Sequence, residues 1–266
     1  MGLFTTIDTD YVDGDVDGIT YRLLSKQAYS RFGLDLLNLG DIGSDSTTVD
    51  SIAVVFDLQG FSSFCNQREP HLTVPPFLKA FLKWLMNAIR VGMVEKEVGE
   101  GMALWTHLPY FVKFMGDGLL VLWDAASPGM GSIGRRNVIA CMDDIRLAYQ
   151  SQFLPSIDGV VINPPPALRC GIARGLVYTL GNGNDCVGNC INMAARLQKL
   201  PGITFAFHPL GFDLIEKGAA RFFSEGISIH TTTIRGFGEN ERVAILRQEY
   251  RQMAEEDRSN YSAPLK

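Results

Sequence analysis

A short apolar run that ends in an acid constrains the fold more than any other feature of this sequence. Residues 51–56 read Ser-Ile-Ala-Val-Val-Phe, and Asp57 follows them directly. The run is too short and too continuously apolar for an amphipathic helix, and its β-branched residues favour a strand buried on both faces. We therefore expect a central strand that carries a carboxylate at its end.

Helical and extended patterns alternate along the rest of the chain. Apolar residues recur at helical spacing in three stretches, and short apolar runs between them predict strands. Such an order favours a single mixed sheet with helices over one face, so we expect an α+β fold, an α/β sandwich. The longest predicted helices are residues 74–97, 134–153 and 188–200, and a shorter one is predicted at 210–217.

Composition divides the 266 residues into three parts. Residues 1–50 are polar and acidic and predict an N-terminal arm with one short helix at 21–29. Residues 51–250 form the predicted globular domain. The charged segment 251–266 predicts a flexible C-terminal tail.

Charge and hydropathy exclude several classes of protein. The chain has 24 basic and 29 acidic residues, a net charge of −5, which disfavours a broad nucleic-acid-binding surface. Apolar runs fall short of the roughly 20 residues that span a bilayer, and the N-terminus does not resemble a secretory signal. The five cysteines are odd in number and irregularly spaced, which indicates reduced thiols. We expect a cytoplasmic protein without a membrane or nucleic-acid partner.

Two aspartates stand where the predicted strands end or turn. Asp57 closes the buried strand, and Asp117 lies in Gly116-Asp117-Gly118, between two apolar runs that together indicate a β-hairpin. Either aspartate alone is an ordinary turn residue. Parallel neighbouring strands would bring both carboxylates to one point, where they could hold the metal ions of a phosphoryl-transfer site.

Four further polar residues invite two interpretations each. Asn192 and Arg196 are four residues apart on one predicted helix face, where they could bind a sugar and a phosphate or simply face solvent. Lys113 lies inside an apolar strand, where a charged residue needs a reason. A position at the edge of the sheet or a snorkelling side chain would be the ordinary reason. Arg169 opens a strand and could form a structural salt bridge.

Four segments taken together resemble the class III nucleotidyl cyclases, the adenylyl and guanylyl cyclase superfamily. Their order and spacing agree with that family from about residue 51 to residue 247. The resemblance implies a cyclase catalytic domain over residues 51–250, with a mixed sheet and a ferredoxin-like core. The segments are residues 54–62, 112–118, 168–175 and 184–197.

The resemblance also assigns roles to the candidate residues. Asp57 and Asp117 would hold two divalent cations, Mg²⁺ or Mn²⁺, with the Leu58 backbone carbonyl as a further ligand. Asn192 would orient the ribose, and Arg196 would stabilise charge on the α-phosphate. The reaction would convert a nucleoside triphosphate to a 3′,5′-cyclic nucleotide and pyrophosphate.

The remaining substrate contacts follow the family pattern less closely. Lys113 and Asp185 match the pair that reads the base in adenylyl cyclases, and Arg169 matches an arginine that supports the phosphates in some members. Phe237 stands where the family has a basic triphosphate-binding residue. Arg235, two residues earlier, is the candidate to replace it.

In this family the metal acids and the Asn–Arg pair come from different catalytic domains. Because this chain carries both sets, the resemblance implies a homodimer with two shared sites. The short chain and its unfamiliar N-terminal arm resemble the stand-alone pyrimidine cyclases of anti-phage defence. That resemblance favours UTP, and less strongly CTP, as substrate, with a separate effector that senses the cyclic nucleotide.

Three alternatives stay open at the level of sequence. An adenylate cyclase keeps the mechanism and changes the base. A catalytically silent cyclase-like domain would bind only a nucleotide or a partner, although it has no chemical need for both the acids and the Asn–Arg pair. A diguanylate cyclase requires a Gly-Gly-Asp/Glu-Glu-Phe turn, whereas the turn here is Met-Gly-Asp-Gly.

Overall fold

A computed structural model describes residues 11–26, 39–97, 103–105, 107–214 and 222–265. The chain divides into two compact units, residues 1–48 with 178–187 and residues 49–177 with 188–266. Within the described ranges, no helix is both long and apolar enough to cross a membrane.

The described secondary structure alternates strands and helices, as the sequence patterns predict. The strands are β1 Tyr11–Val16, β2 Ile19–Leu24, β3 Thr48–Gln59, β4 Val94–Glu97, β5 Ala103–Trp105, β6 Phe111–Phe114, β7 Gly118–Asp124, β8 Ala167–Leu180, β9 Asp185–Val187, β10 Phe205–Phe207, β11 Ile227–Ile234 and β12 Gly238–Leu246. The α-helices are α1 Phe61–Cys65, α2 Pro70–Gly92, α3 Gly131–Ala148, α4 Leu154–Ser156, α5 Asn189–Leu197, α6 Arg247–Gln252 and α7 Glu255–Arg258.

The smaller unit begins with a hairpin where the sequence predicts a helix at 21–29. β1 pairs antiparallel with β2, from Tyr11 opposite Leu24 to Val16 opposite Ile19. Asp17 and Gly18 connect them with φ of 55° and 79°, the left-handed conformations of a two-residue hairpin turn. The helix prediction is therefore wrong over 21–24, and residues 27–29 lie outside the described residues.

The main sheet confirms the predicted α+β class. Its order is β11-β12-β10-β8-β3-β7-β6, with β9 paired to β8 as an eighth strand. β10 runs parallel to β8, whereas β3 with β7 and β6 with β7 are antiparallel, so the sheet is mixed. The order β8-β3-β7-β6, connected through α2 and α3, is that of a ferredoxin-like core.

Aromatic side chains join the two long helices on one face of the sheet. Phe77 and Phe81 of α2 are fully buried, and Tyr149 and Phe153 lie in the π-helical turn that follows α3. The Trp84 and Phe153 ring centroids are 5.1 Å apart, and the Phe81 and Tyr149 rings meet edge to face. Such pairs add roughly 0.5–1.5 kcal/mol each to the stabilisation from burial.

Helix α5 lies against the opposite face, so helices cover both faces rather than only the predicted one. Leu168, Cys170 and Ile172 of β8 belong to the core under α2 and α3, which turns Gly171 to the other side. A Cβ on Gly171 would lie 2.1 Å from the Ala194 carbonyl oxygen. The absence of a side chain at this position is therefore what lets α5 lie on the sheet.

The C-terminal segment is attached to the sheet, although the sequence predicts a flexible tail from residue 251. Tyr261 is buried, and its hydroxyl donates a hydrogen bond to the Pro201 carbonyl oxygen at 2.7 Å. The Ser262 amide donates to the Thr231 carbonyl oxygen in β11 at 2.9 Å. One buried aromatic ring thus fixes a segment whose composition is otherwise polar.

Candidate active site

The two predicted metal acids lie side by side at one end of the sheet. Asp57 in β3 stands opposite Gly118, the first residue of β7, and Asp117 precedes it in the β6–β7 turn. The Leu58 amide donates a hydrogen bond to the Asp117 carbonyl oxygen at 3.0 Å. β3 and β7 are antiparallel, which corrects the expectation that parallel strands bring the acids together.

Glycines on both sides of Asp117 allow this approach. Gly116 has φ of 92°, in the left-handed region that favours glycine. A Cβ on Gly118 would lie 1.9 Å from the Phe56 carbonyl oxygen, so a larger residue would separate the turn from β3. The Gly-Asp-Gly sequence is thus required by the close contact of the turn with the neighbouring strand.

Asp57 is buried beside the charge of Asp117. Burial raises the pKa of Asp57, and the neighbouring Asp117 raises it further through its charge and a side-chain hydrogen bond. The cations Lys199 and Arg169 lower the same pKa. A divalent cation held by both carboxylates would offset the repulsion that Asp117 exerts on the Asp57 carboxylate.

This donor set fits hard divalent cations. Mg²⁺ and Mn²⁺ prefer oxygen ligands, and sites that also bind substrate phosphates use one or two protein carboxylates. Asp57 and Asp117 supply the carboxylates, and the Leu58 carbonyl is a further oxygen on the same strand. The described residues contain no group of three or more His, Cys, Asp or Glu side chains placed for a metal, so the remaining ligands would be water and substrate.

Lys113 lies on the same face of the sheet as Asp57. In β3, the residues Val54, Phe56 and Leu58 join the core under α2, so Asp57 is turned to the opposite face. Lys113 is exposed in β6 and stands opposite Leu120 of β7, which in turn pairs with Val55. Its predicted position beside the candidate site is therefore consistent with the register of the three strands.

Arg169 also lies on this face, in β8. Its charge acts on Asp57, and its side chain is partly buried. The Arg169 Nε atom is buried and has no hydrogen-bond partner among the described residues. A buried guanidinium nitrogen without an acceptor is costly and is a natural position for an anionic ligand.

Arg196 and Arg235 are not among the described charges that act on Asp57. Asn192 and Arg196 are exposed on α5. Arg235 is exposed in the β11–β12 turn, at the edge of the sheet beyond β8 and β10. Asp185 belongs to the smaller unit, where its carboxylate accepts a hydrogen bond from the Cys186 amide at 2.8 Å.

Lys199 is the charged residue near the acids that the sequence analysis missed. It is exposed in the turn that follows α5, and its positive charge lowers the pKa of Asp57. Asn192, Arg196 and Lys199 are spaced i, i+4 and i+7 and so share one helix face, but that spacing alone does not predict which acids Lys199 approaches.

Comparisons with known proteins support the fold. No family model and no curated protein matches the chain by sequence. Among solved structures, the adenylyl cyclase CyaB from P. aeruginosa is similar at 13% identity and a TM-score of 0.53, over 76% of this chain and 96% of that one. The guanylyl cyclase Cya2 is similar at 16% identity and a TM-score of 0.52, over 77% of this chain and 93% of that one. The chain therefore has a fold like that of these two cyclases, and the likeness covers nearly their whole length.

Proposed function

We propose that this chain is a nucleotidyl cyclase that converts a nucleoside triphosphate to a 3′,5′-cyclic nucleotide and pyrophosphate. The observation that carries the proposal is the interacting pair Asp57 and Asp117 on adjacent strands of a cyclase-like sheet. Two acids that face each other at a strand end favour metal-assisted phosphoryl transfer over a purely structural role.

Each residue then has a defined task. Asp57, Asp117 and the Leu58 carbonyl would hold two divalent cations, which supply Lewis-acid stabilisation of the transferring phosphate. Asn192 would hydrogen-bond the ribose, and Arg196 would neutralise charge that develops on the α-phosphate. The ribose 3′-hydroxyl would lose its proton to solvent water, and its oxygen would bond to the α-phosphorus as the bond from that phosphorus to the leaving pyrophosphate oxygen breaks.

A shared site in a homodimer would explain why the charge of Arg196 does not act on Asp57 of its own chain. The described charges that act on Asp57 are Asp117, Lys199 and Arg169, and Arg196 is not one of them. Arg196 and Asn192 are exposed and accessible to a second chain. A symmetric pair of chains would complete two sites, each with acids from one chain and the Asn–Arg pair from the other.

The base stays a prediction from the resemblance, with UTP favoured over CTP and ATP. Lys113 and Asp185 offer a donor and an acceptor, and every base can satisfy such a pair if the side chains shift register. Cyclic UMP as an anti-phage signal, sensed by a separate effector in the cytoplasm, completes this proposal.

The test is incubation of the purified protein with Mn²⁺ and, separately, ATP, GTP, CTP and UTP. Products are resolved by liquid chromatography with mass detection. We expect one cyclic nucleotide, lost by at least a hundredfold in Asp57→Asn and Asp117→Asn, because each change removes a charged ligand at unchanged size. The exposed Asp41→Asn is the matched control and should keep full activity.

The product identifies the base directly. Cyclic UMP or cyclic CMP supports the pyrimidine assignment, and cyclic AMP replaces it with an adenylate cyclase. Full activity in Asp57→Asn would contradict the assignment of the acids. No cyclic product from any nucleotide, at protein concentrations that give a dimer, would favour the silent binding domain.

A further inference from the structure

The direction of α5 over the sheet determines which of its residues reach the acids of the same chain. Cys190 lies beside Gly175 of β8, with its Cβ 3.3 Å from a Cβ built on that glycine. One to two turns later, Ala194 and Gln198 lie beside Gly171. The helix therefore runs antiparallel to β8, and the turn after its end lies toward Arg169.

Tyr261 gives independent evidence for this arrangement. Its hydroxyl donates to the carbonyl oxygen of Pro201, two residues after Lys199. The Arg169 charge acts on the same phenol, lowering its pKa against a larger rise that burial causes. Pro201 and Arg169 are thus both neighbours of one buried side chain, and the turn at 198–201 lies close to Arg169.

One exposed stripe of α5 connects this turn to the predicted catalytic residues. Asn192, Arg196 and Lys199 are exposed at spacing i, i+4 and i+7, whereas Met193 and Leu197 between them are buried. The Lys199 amide donates to the Arg196 carbonyl oxygen at 3.1 Å, so the stripe continues into the turn without a break.

From this geometry we propose that Lys199 binds the substrate phosphates at the acids of its own chain, together with Arg169. The inference rests on the proposed function, and it assigns the three residues of the stripe to two different active sites of the dimer. Lys199 serves the acids of its own chain, while Arg196 and Asn192 serve those of the partner chain.

The chemistry of the leaving group favours this role. Pyrophosphate gains negative charge as its bond to the α-phosphorus breaks, and a lysine ammonium is a compact charge that phosphates bind well. Arg169 adds a guanidinium whose Nε atom has no acceptor among the described residues. Lys199 and Arg169 would stabilise the β- and γ-phosphates, where Asp57 and Asp117 alone would repel them.

Paired chains with different substitutions test the assignment directly. Asp117→Ala chains mixed with Arg196→Ala chains give one complete site per heterodimer, with acids from the second chain and Arg196 from the first. Lys199→Ala is then added to one chain or the other. We expect no further loss when it is on the Asp117→Ala chain, and about a tenfold rise in KM when it is on the Arg196→Ala chain.

The reverse dependence would overturn the proposal, since Lys199 would then act beside Arg196 on the partner's acids. Equal activity in both mixtures would overturn it as well. If the mixture of Asp117→Ala and Arg196→Ala chains has no activity although the unmutated protein is active, that result contradicts the shared site. It then also contradicts the assignment of Lys199 and Arg196 to different sites.

A binding measurement separates this inference from the proposed function. Pyrophosphate with Mg²⁺ is titrated calorimetrically into the unmutated protein and the variants. Lys199→Ala should weaken binding about tenfold, because it removes one charge-assisted hydrogen bond to phosphate. Lys199→Arg should stay within about threefold of the unmutated protein. Lys79→Ala, an exposed lysine on α2, should leave binding unchanged.

Unchanged affinity in Lys199→Ala, or no binding by the unmutated protein, would overturn the inference. If binding weakens as expected while no nucleotide is cyclised, the phosphate site stands and the proposed function fails.

Discussion

His230 shows how a single buried side chain couples stability to pH. It is fully buried in β11, with Nδ1 2.9 Å from the Ser262 carbonyl oxygen and Nε2 2.8 Å from the Ser228 hydroxyl. Burial lowers its pKa below 6.5, and the hydrogen bond to Ser262 offsets only part of that effect. The folded chain therefore binds fewer protons at this position than the unfolded chain near pH 6.

The expected result is a loss of stability in acid. The contribution of His230 to the free energy of unfolding is fully present above pH 6.5 and declines as pH falls through the lowered pKa. Urea unfolding at pH 7.5, 6.5 and 5.5 measures the free energy of unfolding at each pH.

His230→Gln should be less stable than the unmutated protein at pH 7.5, but its free energy of unfolding should fall less between pH 7.5 and pH 5.5. The exposed His71→Gln should follow the unmutated protein, and a slope in His230→Gln as steep as in the unmutated protein would rule out this origin.

The sequence predicts the acids of the candidate site and Arg169, but it does not predict Lys199. Asp57 and Asp117 are recognisable because a strand end and a glycine-flanked turn leave local signals in the sequence. The proximity of Lys199 to Asp57 depends on the direction in which α5 crosses β8, and no local pattern encodes that direction. Tyr261 was missed for the same reason, because its burial depends on a contact with Pro201, 60 residues away in the chain.

At the scale of elements, α5 depends on Gly171. A Cβ there would lie 2.1 Å from the Ala194 carbonyl oxygen and 2.6 Å from the Gln198 nitrogen, and both are backbone atoms of the helix end that cannot rotate away. Gly171→Ala should therefore lift α5 and cost about 1–3 kcal/mol of unfolding free energy, the usual cost of overpacking.

Activity should fall further than stability, because Asn192, Arg196 and Lys199 move together with the helix. Thermal unfolding and cyclase kinetics of the same preparation measure the two effects. Gly175→Ala is the matched comparison on the same strand, since the atom nearest to its Cβ would be the Cys190 Cβ at 3.3 Å, with the Cys190 backbone nitrogen at 4.0 Å. Equal activity of the two variants would mean that the position of α5 does not determine the site.

Elements with strong local patterns were predicted well, and the exceptions have physical causes. The predicted helices 74–97, 134–153 and 188–200 correspond to α2, to α3 with its π-helical turn, and to α5. The predicted helix 210–217 is wrong over 210–214, where the chain turns instead of forming a helix, and its other residues lie outside the described ones. Residues 94–97 instead form β4, because α2 ends at Gly92 and the chain then pairs with β5. The antiparallel course of β3 and β7 follows from their order in the sheet, which a pair of strand patterns leaves undetermined.

At the scale of the whole molecule, the proposed function requires two chains. Each chain carries acids and an Asn–Arg pair, yet Arg196 is not among the described charges that act on Asp57. A monomer would therefore bind metal and phosphates at Asp57, Asp117 and Lys199 but would lack the groups that stabilise the transition state.

Dilution tests this requirement without any substitution. Because both sites are lost when the chains separate, specific activity should fall at protein concentrations below the dimer dissociation constant, in proportion to the fraction of dimer. Analytical ultracentrifugation over the same concentrations gives that fraction independently. Pyrophosphate binding should persist in the monomer, because the cations and acids that hold it belong to one chain. Full specific activity in a solution that sediments as monomer would show instead that one chain folds its own α5 stripe over its own acids.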